Sequence, residues 1–414
     1  MSYQSGNRPD HGSVLRPWAV VAGGFLTLFF STGIWHSFGV FFKPLLAEFG
    51  LSRTAVSLVS SAAIVVIALT QLAIGWAMGK FGASRVIRFG IALMGLGLFL
   101  SGFAPGVAFI YLTFSLVMAA GYGFSSLVAV SNVIAPWFDR RRGSAIGIAF
   151  AGLSAGGLIL TPFIQFLILE WSWRAASRIL GAGMFVAVVP LLWALLRDRT
   201  RRGDSGGGGE APETDPPGAS IHVPVRQALR TAPFWLLSGT YFACGFTDFL
   251  LLFHFPLFAI GLGVADQTAA NILGTAGGIS LAGTVSLAWL SDRAGRPIPL
   301  AAIYAVRAAG FVLLMTSRSA APLYVFMVFY GFVLFASNPI TSAATRELYG
   351  PKSFGTLYGD LIFVHYLGAF SGPLTGGLVY EALGRYDEAF LIGAVLLAGA
   401  AACALGLRGR MAVG

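Results

Sequence analysis

Twelve long apolar stretches dominate this chain, near residues 17–42, 54–78, 86–104, 107–134, 142–168, 175–196, 232–260, 267–290, 298–316, 322–345, 354–380 and 387–407. A helix crossing a bilayer needs about 20 mainly apolar residues, because its backbone polar groups must be satisfied internally there. The gaps are too short for a soluble domain. The longest, 197–231, holds Gly206 to Gly209 and the polar, proline-rich run Ala211 to Pro217, and it reads as a flexible linker. Composition agrees. With 56% hydrophobic and only 11% charged residues, nothing could coat a soluble globule, and the chain is far too apolar to stay disordered. An all-α polytopic membrane protein is expected.

Charge sets the orientation. If the N-terminus is cytoplasmic and the spans alternate, twenty of the 27 Lys and Arg residues fall inside, six outside, and Arg307 within a span. That bias places both termini and the linker in the cytoplasm. It also accounts for the net charge of +10 without nucleic acid, which needs a contiguous basic face. Residues 1–16 lack the apolar stretch and cleavage site of a signal peptide, so the first span reads as a retained signal anchor. Cys244 and Cys403 both fall in apolar spans, with neither disulfide nor metal spacing. No phosphate-cradling loop, nucleophilic triad or paired metal histidines occur, so neither an enzyme nor a cofactor is expected. Arg outnumbers Lys by 24 to 3, which points to a GC-rich bacterial genome and an inner-membrane home.

The chain repeats itself. The loop Gly75-Trp-Ala-Met-Gly79-Lys80-Phe-Gly82 recurs 213 residues later as Ala288-Trp-Leu-Ser-Asp292-Arg293-Ala-Gly295. The fifth span opens Gly143-Ser-Ala-Ile-Gly147 and the eleventh opens Gly355-Thr-Leu-Tyr-Gly359, an offset of 212. Two six-helix halves in parallel order are implied, residues 1–196 and 232–414, joined by the linker 197–231. Parallel halves with a small-molecule site between them are a transporter design. Gly143, Gly147 and Gly152 in the fifth span, and Gly368 and Gly372 in the eleventh, are expected to let helix backbones approach closely, either to slide or to pack tightly.

The stretch Ala288-Trp-Leu-Ser-Asp292-Arg293-Ala-Gly295-Arg296 resembles the loop signature of the major facilitator superfamily. The resemblance implies that Asp292, Arg293 and Gly295 latch neighbouring helix ends; the first-half copy departs, with Gly79 in place of the acid. Within that superfamily, Trp137-Phe-Asp139-Arg140-Arg141-Arg142-Gly143, continuing to Gly152, resembles the monocarboxylate transporter family. So does Gly39-Val-Phe-Phe-Lys43, followed by Glu48-Phe-Gly50. This resemblance implies twelve helices, alternating access and coupling of a proton to a small monocarboxylate such as lactate or pyruvate. It assigns conformational roles to Arg140, Arg141 and Arg142. His36 falls where mammalian members carry a proton-linked lysine. The charged pair that members carry in the eighth span is replaced here by Ser280 and Thr284.

Ionisable groups inside a bilayer cost several kcal/mol or more and usually face a cavity. His36, Asp248 and His365 are the expected proton-coupling residues. An expected substrate site comprises His36, Tyr122, His254, Tyr330, Asn338 and Arg307. Arg307 is the one strong cation deep in a span, either pairing with a neighbour or standing in for the missing carboxylate clamp. Asp360, about two turns into the eleventh span, reads as an inner-gate contact. The expected partners are a small organic anion, protons and lipid, with the chain acting as a monomer. Proton-antiport export of an apolar or cationic compound is the alternative, favoured by the lost charges at Ser280 and Thr284.

Overall fold

A computed structural model describes residues 11–138, 141–199, 223–317 and 319–408. Among the described residues, twelve helices are long and apolar enough to span a membrane. They are α1 (Arg16–Phe49), α2 (Arg53–Phe81), α3 (Ala83–Ser101), α4 (Val107–Trp137), α5 (Gly143–Glu170) and α6 (Trp173–Leu195), then α7 (Ala232–Gly261), α8 (Asp266–Ala294), α9 (Pro297–Thr316), α10 (Ala320–Tyr349), α11 (Lys352–Leu383) and α12 (Asp387–Gly406). Each expected stretch is such a helix. Arg140 and residues 200–222 of the expected linker lie outside the described residues, as does the side chain of Arg142.

Short polar residues start these helices where the orphan N–H groups need acceptors. Ser52 accepts from the Ala55 N–H at the head of α2, and Ser172 from the Ala175 N–H at the head of α6. At the head of α3 the acceptor comes from another helix. Asp198, just beyond α6, accepts from the Ser84 N–H at 2.9 Å and the Ser84 hydroxyl at 2.6 Å.

Core side chains sort into two clusters. One is built almost wholly from α1–α6, and the other from α7–α12. The halves share their packing devices. A Cβ on Gly152 or Gly156 of α5 would collide with the Phe25 or Phe29 carbonyl of α1, and one on Gly368 or Gly372 of α11 with the Phe242 or Phe246 carbonyl of α7. Gly156 and Gly368 are 212 residues apart and Phe29 and Phe242 are 213 apart, the repeat read from the sequence. Gly152, Gly368 and Gly372 therefore sit where two helix backbones approach closely. Gly143 and Gly147 do not: a Cβ on either would meet nothing within 4 Å. They lie on the far side of α5 from Gly152 and Gly156, since a five-residue step from Gly147 turns a helix by about 140° beyond a full turn.

Three spans are interrupted near mid-depth. In α1 the break is at Ser37, whose hydroxyl takes the Gly33 carbonyl at 2.6 Å. In α4 it falls at Ser125–Ser126, where the Ser125 hydroxyl takes the Gly121 carbonyl. Serine bonding back to its own helix competes with the ladder and bends it. In α10 the segment Leu334–Ala336 is unwound. Pro339 accounts for this break, because it has no N–H to continue the ladder and suits only the first turn of the helix that restarts at Ser337; the Phe335 carbonyl accepts from the Asn338 N–H at 3.3 Å instead.

The start of α1 and the end of α12 lie on the same face of the bundle, called here the terminal face. Among the described residues, polar contacts between the halves lie midway or on the opposite face. Lys43 of α1 pairs with Asp266 of α8 at 2.6 Å, Thr54 N–H of α2 donates to Glu381 of α11 at 2.8 Å, and the Ser61 hydroxyl donates to the Phe370 carbonyl at 2.9 Å. Ser154 of α5 meets Ser280 of α8 at 2.8 Å. On the terminal half, a Cβ on Gly75 or Gly79 of α2, Gly147 of α5 or Gly359 of α11 would meet only open space. The bundle is sealed on the opposite face and parted on the terminal face.

Candidate functional site

Helix α7 carries Tyr241, Cys244 and Asp248 at steps of three and four residues, so all three share one stripe. Arg307 from α9 and Tyr330 from α10 meet that stripe. Arg307 is 0% exposed. A guanidinium there is tolerated only where acceptors surround it. Its Nη1 donates to Asp248 Oδ1 at 3.0 Å and to Cys244 Sγ at 3.3 Å. Its Nη2 donates to the carbonyls of Val333, at 3.1 Å, and Leu334. Those carbonyls border the unwound segment of α10, so one side chain both neutralises Asp248 and braces a broken helix. Asp248 Oδ1 also accepts from the Tyr330 hydroxyl, and Oδ2 from the Cys244 thiol at 3.3 Å. Asp248 itself keeps 15% of its side chain exposed.

The same α10 break orients a second group. Phe335, in the unwound turn, stacks on His36 of α1 with ring centres 5.9 Å apart. Asn338, in the turn that follows, accepts from the Tyr241 hydroxyl at 3.3 Å, and Tyr241 also bonds Tyr358 at 3.0 Å. His365 of α11 sits against Tyr241 and Phe249, and its Nδ1 has no hydrogen-bond partner among the described residues. Tyr122 of α4 stacks on Trp35, the neighbour of His36, at 5.3 Å. His36, Tyr122, Asn338 and His365 all keep partial exposure although they lie where the two halves meet. That partial exposure belongs to a cleft between the halves.

His254 stands apart from this cleft. It is 0% exposed and belongs to the opposite-face seal, bonded to Ser57, Pro373 and Tyr386. Burial pushes the Tyr386 phenol up to about 12, so this tyrosine is a neutral hydroxyl at any physiological pH. The terminal-face loops also differ in detail from expectation. Asp292 pairs with Arg296 at 2.5 Å, and Arg296 with Glu347 at 2.8 Å, whereas Arg293 lies 3.6 Å over the Trp289 ring. Gly295 supplies the turn with φ 76°, as Gly82 does in the first half with φ 86°. There, where Gly79 replaces the acid, Asp198 braces the loop instead. Arg141 is exposed with φ 66°, and Asp360 is half-buried near the mouth of α11.

Twelve spanning helices in two pseudo-symmetric halves, parted on one face around a polar cleft, define a membrane transporter. The sequence matches the Major Facilitator Superfamily over residues 24–361, and the chain belongs to that superfamily. It is a multi-pass secondary transporter of small molecules, not an enzyme. It is 28% identical to monocarboxylate transporter 13 of Bos taurus over 92% of this chain and 87% of that one. To monocarboxylate transporter 12 of Homo sapiens it is 27% identical over 91% and 77%, and to monocarboxylate transporter 11 of Homo sapiens 27% over 96% and 84%. The chain is thus distantly related to monocarboxylate transporters over most of its length. Its fold matches the crystal structure of a bacterial homolog of the human lysosomal transporter Spinster in an inward-facing, unoccupied conformation, with a TM-score of 0.74 at 18% identity over 98% of both chains.

Sequence reasoning placed Asp248, Arg307 and Tyr330 in the site as separate residues but missed that they form one network. It also missed Cys244 within it and the α10 break beside it. Pro339 was the available signal for the break.

Proposed function

We propose that this transporter couples a proton to the inward passage of a small organic anion, a monocarboxylate such as lactate or pyruvate. The observation that carries the reading is the buried Asp248–Arg307 pair. It restores, between α7 and α9, the acid and arginine whose places in α8 are taken by Ser280 and Thr284. While Asp248 is ionised, Arg307 is balanced and needs no other anion. Protonating Asp248 leaves a desolvated cation, which is costly in a medium of low dielectric. A carboxylate that enters the cleft relieves it. Proton and anion then bind as a neutral couple. Tyr330 hands its hydroxyl to whichever carboxylate is charged, Tyr122 and Asn338 offer further polar contacts, and His36 and His365 relay the proton along the cleft. Asp360, with Asp292, Arg293, Gly295 and the arginines at 140 to 142, governs the terminal face.

The positive-inside bias makes the terminal face cytoplasmic. In this reading residues 1–196 and 232–414 rock about the linker 197–231, in a monomer of a bacterial inner membrane. The test is uptake of labelled lactate and pyruvate into proteoliposomes under an inward proton gradient. Gradient-driven uptake is expected, and Asp248→Asn is expected to abolish it while leaving substrate counterflow. No gradient-dependent flux of any monocarboxylate, or export of a cationic compound under the same gradient, would overturn the reading.

A further inference from the structure

The opposite-face seal contains a second titratable device that the transport reading does not use. His254 Nε2 lies 2.8 Å from the Pro373 carbonyl of α11 and 3.1 Å from the Ser57 hydroxyl of α2. A carbonyl only accepts, and the Ser57 proton is already given to the Arg53 carbonyl at 2.8 Å. Nε2 must therefore carry the hydrogen. The other nitrogen, Nδ1, lies 3.0 Å from the Tyr386 hydroxyl, which in turn accepts from Arg53 of α2. Tyr386 thus donates to a bare Nδ1. The chain Arg53, Tyr386, His254, Pro373 runs without a mismatch, but only while the imidazole is neutral.

We propose that His254 is a proton-operated latch: protonation from the sealed side unfastens this relay and opens the opposite face. A hydrogen on Nδ1 would confront the Tyr386 hydroxyl proton, forcing that hydroxyl to turn away and lose its acceptor. It would also set a second cation beside Arg53 in a fully buried site. The ring has nowhere to swing. Phe42 of α1 meets it edge-on at 5.3 Å, and a Cβ on Gly376 of α11 would lie 2.8 Å from Nε2. Among the described residues, no carboxylate contacts the ring. Glu381 of α11 is bound to the Thr54 N–H, Glu388 of α12 is paired with Arg385, and Lys43 of α1 is paired with Asp266. Tyr380 of α11 faces Arg53, whose guanidinium lies 3.4 Å over its ring. Because the relay joins α2 of one half to α7 and α11 of the other, undoing it releases the halves.

The inference concerns the seal and not the cargo, so it is tested without substrate. Spin labels at Pro105→Cys and Ser319→Cys, exposed in opposite-face loops of the two halves, report their separation in nanodiscs of the full chain carrying Cys403→Ala; Cys244 is buried. Lowering the pH from about 7.5 to about 5.5 is expected to raise the wide-distance population at least about threefold, because the histidine that the open face exposes to water crosses its ordinary titration range there and draws the equilibrium toward that state. His254→Gln is expected to lose that response. Tyr386→Phe, which keeps the ring packing, is expected to widen the face already at neutral pH. Asp248→Asn is expected to keep the response, so failed uptake and a failed latch are distinguishable. An unchanged wild-type distance across this range, or a wild-type pH response in either His254→Gln or Tyr386→Phe, would overturn the latch.

Discussion

Replacing Arg307 with alanine is expected to destabilise the protein by about 3–5 kcal/mol and to abolish proton-driven uptake, because removing one partner strands a buried charge. Asp248 would keep only the Tyr330 hydroxyl and the Cys244 thiol, and the Val333 and Leu334 carbonyls at the α10 break would lose their shared donor. Arg307→Lys is expected to fail almost as badly. A single ammonium cannot reproduce a planar fork that reaches a carboxylate on one side and two carbonyls on the other. The informative variant is the double substitution Asp248→Leu with Arg307→Met. Exchanging a buried ion pair for apolar groups of similar volume is often neutral or stabilising. The melting temperature in detergent should therefore recover relative to Arg307→Ala, while gradient-driven uptake stays absent. If Arg307→Ala melts as the wild type does, the brace is not structural. If the double variant still accumulates lactate under a proton gradient, the pair is not the coupling device.

The spans and the repeat were readable in the sequence because the bilayer enforces them. A run of about 20 apolar residues has few alternatives in lipid, and a duplicated helix bundle leaves equal offsets wherever glycines are indispensable. The rotation of each helix was not readable. In a soluble protein an apolar face points inward, but here the lipid-facing and core-facing sides are both apolar. Nothing in the local pattern of α9 says that Arg307 turns toward Asp248, fifty-nine residues earlier, rather than toward a lipid headgroup. Single-serine breaks such as Ser37 are hidden for a similar reason, since serine is common in membrane helices and only its neighbours decide whether it bends one. Tyr386 escaped notice because it lies in the turn between α11 and α12, outside any span. Its role depends on Arg53 and His254 arriving from helices remote in sequence. Gly143 and Gly147 were expected to bring backbones together, and a Cβ on either would instead meet open space.

That open face leads to a contrast between two kinds of glycine. Gly368→Val is expected to prevent folding, because the new Cβ would collide with the Phe242 carbonyl, a backbone atom on a helix that cannot yield. No stable protein should survive detergent extraction. Gly147→Val is expected to leave the melting temperature nearly unchanged, since its Cβ meets nothing within 4 Å, yet to reduce transport more than about tenfold. The reason lies in how the sealed face is made. There α5 meets α8 where a Cβ on Gly277 would stand 3.1 Å from the Gly157 Cα, and α11 meets α2 where one on Gly377 would stand 2.8 Å from the Thr54 Cα. The same helix pairs carry glycines toward the parted face, at Gly75, Gly79, Gly147 and Gly359, with nothing against them. Rocking the halves to seal the terminal face brings those ends together, and only residues without side chains let backbones close to that distance. A valine at position 147 should hold the bundle in the conformation seen here. The spin-label pair at 105 and 319 should then stay at its short distance even at low pH. Wild-type uptake by Gly147→Val would show that the terminal face closes by another surface.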